Sequence, residues 1–176
     1  MRDELENLLD GCKIIPLTKN NFENVMEVYK TNREFFILTD SKEARLESCI
    51  NDIDAIPPGL DVKNRLFAGV WKDGNPIAVL DVLLGFPAPK CVWIGFLLVH
   101  GGLHGMGLGS KITAAVTNSA KSAGYEAIQL GVIQNNTAGI GFWQRQGFGK
   151  IRESKTEHAG SEAVPIVVME KRIVPV

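Results

Sequence analysis

Cysteine is scarce in this chain and poorly placed for either of its structural uses. Cys12, Cys49 and Cys91 are odd in number and far apart, with no C-x-x-C pair and no neighbouring histidine to complete a metal set. Neither a disulfide framework nor a metal site is expected, and reduced thiols fit a cytoplasmic protein. Net charge is scarce too: 19 Lys and Arg against 20 Asp and Glu leave −1 at pH 7, without a basic stripe, which removes the electrostatic case for nucleic acid. The opening stretch MRDELENLLDG lacks the basic and apolar regions of a secretory leader and the apolar length of a membrane span, so a short helix is expected over residues 1–10. Repeats, linkers and low-complexity tracts are missing as well. What is there is a chain of 176 residues, 45% apolar and 22% charged, which fits one domain over 1–176 with a core that needs no metal or disulfide.

Hydrophobic patterning predicts a mixed α/β order. An apolar strand over 12–17 leads to a helix capped by Thr18 and carrying Phe22, Val25, Met26 and Tyr29 on one face. A second helix is expected over 42–53, ended by Pro57-Pro58-Gly59, with 33–40 as the connector between the two. Strands follow over 65–71, 76–84 and 91–100, the first pair joined by an Asp73-Gly74 turn. A helix over 108–123 and a strand over 126–133 make a crossover unit, and a short helix over 137–146 precedes two closing strands, 148–153 and 164–171.

Glycine is plentiful where it matters most. The run VHGGLHGMGLGSK, 99–111, follows a strand and opens a helix. Gly105, Gly107 and Gly109 let backbone turn tightly and approach an anion, while the helix starting near Leu108 aims unpaired N–H groups and its positive dipole end at the same point. A phosphorylated ligand is the expectation. It is not a Walker A loop, because Ser110 and Lys111 follow Gly109 in the wrong order, and it is not G-x-G-x-x-G, because 105–109 reads G-x-G-x-G. Ser110 and Lys111 stand in the first helical turn, where a hydroxyl caps or meets phosphate and an ammonium reaches it.

Position by position, His104-Gly105-Met106-Gly107-Leu108-Gly109 resembles the Q/R-x-x-G-x-G/A segment of GNAT-superfamily N-acetyltransferases, with His104 where the family has Gln or Arg. A second block, Asn136-Thr137-Ala138-Gly139-Ile140-Gly141-Phe142-Trp143-Gln144-Arg145-Gln146-Gly147-Phe148, resembles that family's other signature. The resemblance covers about half the chain closely. It implies a single-domain α/β (α+β) fold with a mixed, mostly antiparallel sheet of about seven strands flanked by helices, a central pair of which is splayed. It also implies acetyl-CoA as cofactor, lying between strands 91–100 and 126–133.

The site implied by this resemblance has three parts. Amides around Leu98 and Val99 bond the pantetheine and polarise the thioester carbonyl. The loop from His104 through Gly105, Met106, Gly107, Leu108 and Gly109 to Ser110 holds the pyrophosphate. Asn136 bonds the pantetheine amides or caps the following helix, and Phe142 and Trp143 wall the thiol end or serve as core. A primary amine of a small molecule or protein then attacks the thioester directly, along an acceptor wall of Phe35 and Phe36, with Glu34 and Asp40 as candidate attractants of a cation.

The proton carriers of many relatives have no counterpart. Trp143 occupies the position of their tyrosine acid, and Trp93-Ile94-Gly95-Phe96 replaces the strand that carries their glutamate. Asp81, alone in the apolar run of 77–84, is the leading substitute base and an acceptor-side residue. His100 is a weaker candidate, and His158 reads as loop. The alternative is a non-catalytic acyl-CoA-binding module of the same fold, which the missing acid and base would favour. No nucleic-acid, membrane or metal partner is expected, and homodimers are common among look-alikes.

Overall fold

The computed structural model describes residues 1–40, 43–156 and 163–174. Helix α1 (Arg2–Leu8) lies ahead of strand β1 (Cys12–Pro16). A 3-10 turn, Phe22–Val25, runs into α2 (Met26–Lys30), followed by α3 (Arg33–Asp40) and α4 (Leu46–Cys49). Strands β2 (Arg65–Lys72), β3 (Asn75–Leu84) and β4 (Cys91–Val99) then form an antiparallel meander. Helix α5 (Leu108–Ser122) crosses over to β5 (Ala127–Ile133), and α6 (Thr137–Arg145) leads to β6 (Gly149–Thr156) and β7 (Val164–Arg172). The seven strands lie in the order β1-β2-β3-β4-β5-β7-β6.

Local chemistry accounts for these elements. Asp73 and Gly74 take φ of 51° and 79°, the paired left-handed geometry of a tight hairpin between β2 and β3. On α5, Ile112, Ala115, Val116 and Ala120 are buried at helical spacing, which packs that helix on one sheet face. Gly124, at φ 79°, ends the segment. The sheet's two faces carry separate cores. One, with α1, α5 and α6, includes Leu80, Val82, Ile94, Leu130 and Val132. The other, with α2 and α3, includes Phe67, Val79, Leu98, Tyr29 and Phe36.

Three expectations need correction. Residues 33–40 form a helix rather than a connector: stacked rings, Tyr29 on Phe36 at 5.4 Å and Phe35 edge-on to Phe96 at 5.7 Å, supply tertiary packing that the apolar run in REFFILTD did not advertise as helical. The expected second helix reduces to α4 plus a 3-10 turn, Ile50–Ile53, and its predicted first residue, Lys42, lies outside the described residues. Thr18 does not cap with its side chain; its N–H donates to Asn21 Oδ1 at 2.7 Å.

Candidate active site

The central feature is a gap within the sheet. β4 and β5 run parallel and pair only from Cys91 with Ala127 to Ile94 with Leu130. Beyond that rung the strands separate. A register irregularity on β4 coincides with the separation: Asp81 of β3 faces Phe96 and Val82 faces Ile94, leaving Gly95 as the extra residue of a bulge.

Ladder alternation tells which backbone groups face the gap. His100 N–H donates to the Ile77 carbonyl at 2.9 Å, so Leu98 and Phe96 also turn toward β3, while Leu97 and Val99 turn toward the gap. Across it, Gln134 N–H donates to the Pro165 carbonyl at 3.0 Å, which turns Val132 and Leu130 toward β7 and leaves Gly131 and Ile133 facing the gap. Of the two expected β4 contacts, Val99 therefore lies on the gap, and Leu97 takes the place expected of Leu98, whose backbone pairs inward. The Val99 carbonyl is already shared by Asn32 Nδ2 at 2.8 Å and His104 Nε2 at 2.9 Å. Its N–H is the group left for a ligand.

The glycine run caps this gap. Gly105 and Gly107 have φ of 76° and 78°, a conformation that side chains resist, and a Cβ at either would meet nothing within 4 Å. The first bond of α5 is Lys111 N–H to the Gly107 carbonyl at 3.0 Å, so the N–H groups of Leu108, Gly109 and Ser110 project from the helix end. Open space in front of three convergent donors suits a phosphate. Gly109 has a further reason to lack a side chain, because a Cβ there would stand 3.2 Å from Phe142 Cζ and 3.7 Å from Val99 Cγ2. Phe142 thus sits beside the gap.

Other expected residues have defined places. Ser110 Oγ accepts from Gln146 Nε2 at 3.0 Å, tying α5 to α6. Asn136 Oδ1 accepts from Gly139 N–H at 2.8 Å and caps α6, leaving its Nδ2 as the group able to reach a ligand. Trp143 is buried between Phe142 and Phe148, at 4.9 and 5.2 Å, so its ring belongs to the core. Met106 is exposed, and His100 Nδ1 accepts from Gly102 N–H at 3.1 Å. A cleft of about 540 Å³ beside the loop is lined by His100, Met106, Leu108, Lys111, Lys72 and Asn75, among others. His158 lies outside the described residues.

On the face with α2 and α3, Asp81 is buried at the bulge. Its Oδ2 lies 2.8 Å from where a Gly95 Cβ would stand, so the carboxylate fills the space that a β4 side chain would take. Arg65, which sequence reasoning missed, donates from Nε to Oδ1 at 2.7 Å and from Nη2 to Oδ2 at 3.0 Å. The same guanidinium donates to the carbonyls of Ile53 and Asp52 at 2.8 and 2.7 Å and stacks over Phe67. Burial raises the Asp81 pKa above the ordinary carboxylate value, with Arg65 pulling the other way. Phe35 and Phe36 stand nearby on α3 with Phe96, while Glu34 is exposed. Burial, then Asp52, raises the Tyr29 phenol, which makes it a poor acid near neutral pH. Among the described residues no three His, Cys, Asp or Glu converge as metal ligands, and no helix is long and apolar enough to cross a membrane.

Solved structures share this architecture. An acetyltransferase from Thermus thermophilus superposes with a TM-score of 0.69 at 20% identity, covering 92% of this chain and 97% of that one. The PaiA N-acetyltransferase from Thermoplasma acidophilum, in complex with coenzyme A, gives 0.64 at 18% identity over 92% and 99%. The microcin C7 self-immunity acetyltransferase MccE, in complex with acetyl-CoA and AMP, gives 0.71 at 14% identity over 94% of each chain. At such identities the likeness establishes the fold. A search of curated protein sequences found no match. The acetyltransferase (GNAT) family, however, matches residues 24–148, a span that includes the bulge, the gap, the glycine run and the α6 signature. With its splayed strands and phosphate-ready helix end, the chain belongs to the acetyltransferase (GNAT) family, whose acetyl donor is acetyl-CoA.

Proposed function

We propose that this protein is an N-acetyltransferase that moves acetyl from acetyl-CoA onto a primary amine of a small molecule or protein, by direct attack. The observation that carries the reading is the meeting, at one bulge, of unpaired strand backbone and a buried carboxylate. Acetyl-CoA supplies an activated carbonyl: the amine nitrogen bonds to it as the C–S bond breaks and the thiolate leaves. The chain's tasks are to orient the thioester, polarise its oxygen and take the proton from nitrogen. The N–H groups of Leu97 and Val99 are the donors placed for the second task. Asp81 is the proton acceptor, using the lone pairs that Arg65 leaves free, and its raised pKa makes it a stronger base than a surface carboxylate. Phe35 and Phe96, both half-buried, form the apolar wall along which the acceptor approaches, and Phe36 is buried behind them in the core. No side chain acts as acid in this scheme; water protonates the thiolate.

Cytoplasmic residence is part of the same reading. Its support is the free thiols of Cys12 and Cys91, the second pushed up to about 11 by burial and by Glu170.

A second reading, an acyl-CoA-binding module without turnover, draws support from Arg65, which grips both Asp81 oxygens. Thiol release from acetyl-CoA with a panel of primary amines separates the two. Turnover is expected, with Asp81→Asn lowering kcat about 100-fold at unchanged acetyl-CoA affinity. A rate within about twofold of wild type would make Asp81 only the partner of Arg65. No turnover with any amine, alongside intact acetyl-CoA binding, would favour the binding module.

A further inference from the structure

The point where β4 and β5 part is closed on one face by side chains the scheme above leaves unused. Gly131 is the first β5 residue past the last rung, Ile94 with Leu130. Its missing side chain makes room for two others: a Cβ there would stand 2.9 Å from Ile166 Cδ1 and 3.6 Å from Trp93 Cζ2. Trp93 immediately precedes that rung on β4, half-buried, its indole edge-on to Phe86 at 6.0 Å. Ile166 is buried on β7, across from Ile133. Alternation places Trp93, Gly131 and Ile166 on the face that also carries Asp81 and Phe96, opposite the α5 core. The gap therefore ends in an apolar wall.

This wall stands where an acyl group would arrive. Val99 and Gly95 are four residues apart on β4, about 13 Å at a strand's rise. An arm anchored by its phosphates at the start of α5 and bonded along Val99 and Leu97 runs toward Gly95 and Gly131 with its thioester end leading. Neither Gly95 nor Gly131 sets a side chain of its own against the thioester; Asp81 fills the one position and Ile166 with Trp93 the other. Any extension of the acyl chain meets the indole, which crowds the space over Gly131 together with Ile166 and packs at right angles to the Phe86 ring. Close-packed side chains yield little to extra methylenes.

We propose that Trp93, standing with Ile166 over Gly131, sets the acyl length this protein accepts, admitting acetyl and rejecting chains two or more methylenes longer. The proposal rests on the gap being the acetyl-CoA site. Calorimetric titration of wild type with CoA, acetyl-CoA and butyryl-CoA, with thiol-release assays in parallel, tests it. Wild type should favour acetyl-CoA over butyryl-CoA at least about 10-fold in binding or in kcat/KM. In Trp93→Ala that preference should narrow at least about 10-fold while affinity for CoA stays put, and Trp93→Phe should fall between. Equal use of both acyl donors by wild type would overturn the proposal, as would an unchanged preference in Trp93→Ala. If the Ala variant does not fold, the wild-type ratio and Trp93→Phe decide. Failure of wild type to bind CoA and both thioesters would be a different result, removing the site assignment and this proposal with it.

Discussion

Replacing Arg65 by methionine should destabilise the protein severely at neutral pH and less so in acid. The Arg65 and Asp81 side chains are 5% and 11% exposed, and the guanidinium makes two bonds to the carboxylate and two to the carbonyls of Asp52 and Ile53. Removing one partner of a buried ion pair leaves the other charge uncompensated, at a cost of about 3–5 kcal/mol. For a chain of this size that corresponds to a fall in Tm of about 6–20 °C. Burial already holds the Asp81 pKa above its ordinary value, and Arg65 is what lowers it. A carboxyl with a raised folded-state pKa contributes stability at low pH that is lost as pH rises through that value. Taking Arg65 away enlarges the shift, so the penalty should be largest near about pH 7 and shrink toward about pH 5. Urea unfolding followed by circular dichroism at both pH values measures it. Arg65→Met with Asp81→Leu should recover a large part of the loss, though not the bonds to Asp52 and Ile53. A destabilisation below about 1 kcal/mol, equal losses at both pH values, or a double variant no better than the single one would refute the reasoning.

Two further substitutions probe the cofactor end. Gly107→Glu places an L side chain at φ 78°, a strain of about 1–2 kcal/mol, and sets a carboxylate in front of the N–H groups of Leu108, Gly109 and Ser110. Acetyl-CoA affinity should drop at least about 100-fold in titration calorimetry, and retained affinity would mean the phosphate sits elsewhere. Asn136→Ala removes the 2.8 Å cap of α6 and should lower stability by about 1 kcal/mol, or about 2–4 °C in a thermal melt. If the cap is its whole role, acetyl-CoA affinity stays within about threefold; a loss of about tenfold would assign its free Nδ2 to the cofactor.

Much of this arrangement was legible in the residues, for reasons that can be named. The glycine run and the Asn136–Phe148 block are local patterns, and local patterns survive without tertiary information. The strands of the sheet were legible because apolar runs bounded by Gly and Pro leave few alternatives. The aromatic contacts that anchor residues 33–40 are tertiary, and the short apolar run from Phe35 to Leu38 does not by itself separate helix from connector. Arg65 escaped notice for the same reason: it is 16 residues from Asp81, and only the β2–β3 register, which pairs Arg65 with Leu83 and Phe67 with Asp81, brings the two within reach as diagonal neighbours. The bulge and the Trp93 wall left a fainter trace. Gly95 interrupts an otherwise apolar strand and Gly131 a mostly apolar one, a signal for a bulge or a close approach. Which neighbour fills each gap, Asp81 in one case and Trp93 with Ile166 in the other, depends on strand pairing.

Thermal unfolding with excess acetyl-CoA, compared with ATP and NAD, tests the cofactor assignment most directly because it needs no knowledge of the acceptor. At a hundredfold excess over Kd the stabilisation is about 2.7 kcal/mol, which should raise the Tm by about 5–10 °C. A shift with acetyl-CoA and none with the other two is the expected result. No shift, or one produced by ATP or NAD instead, would contradict the assignment of the gap and the glycine run to acetyl-CoA.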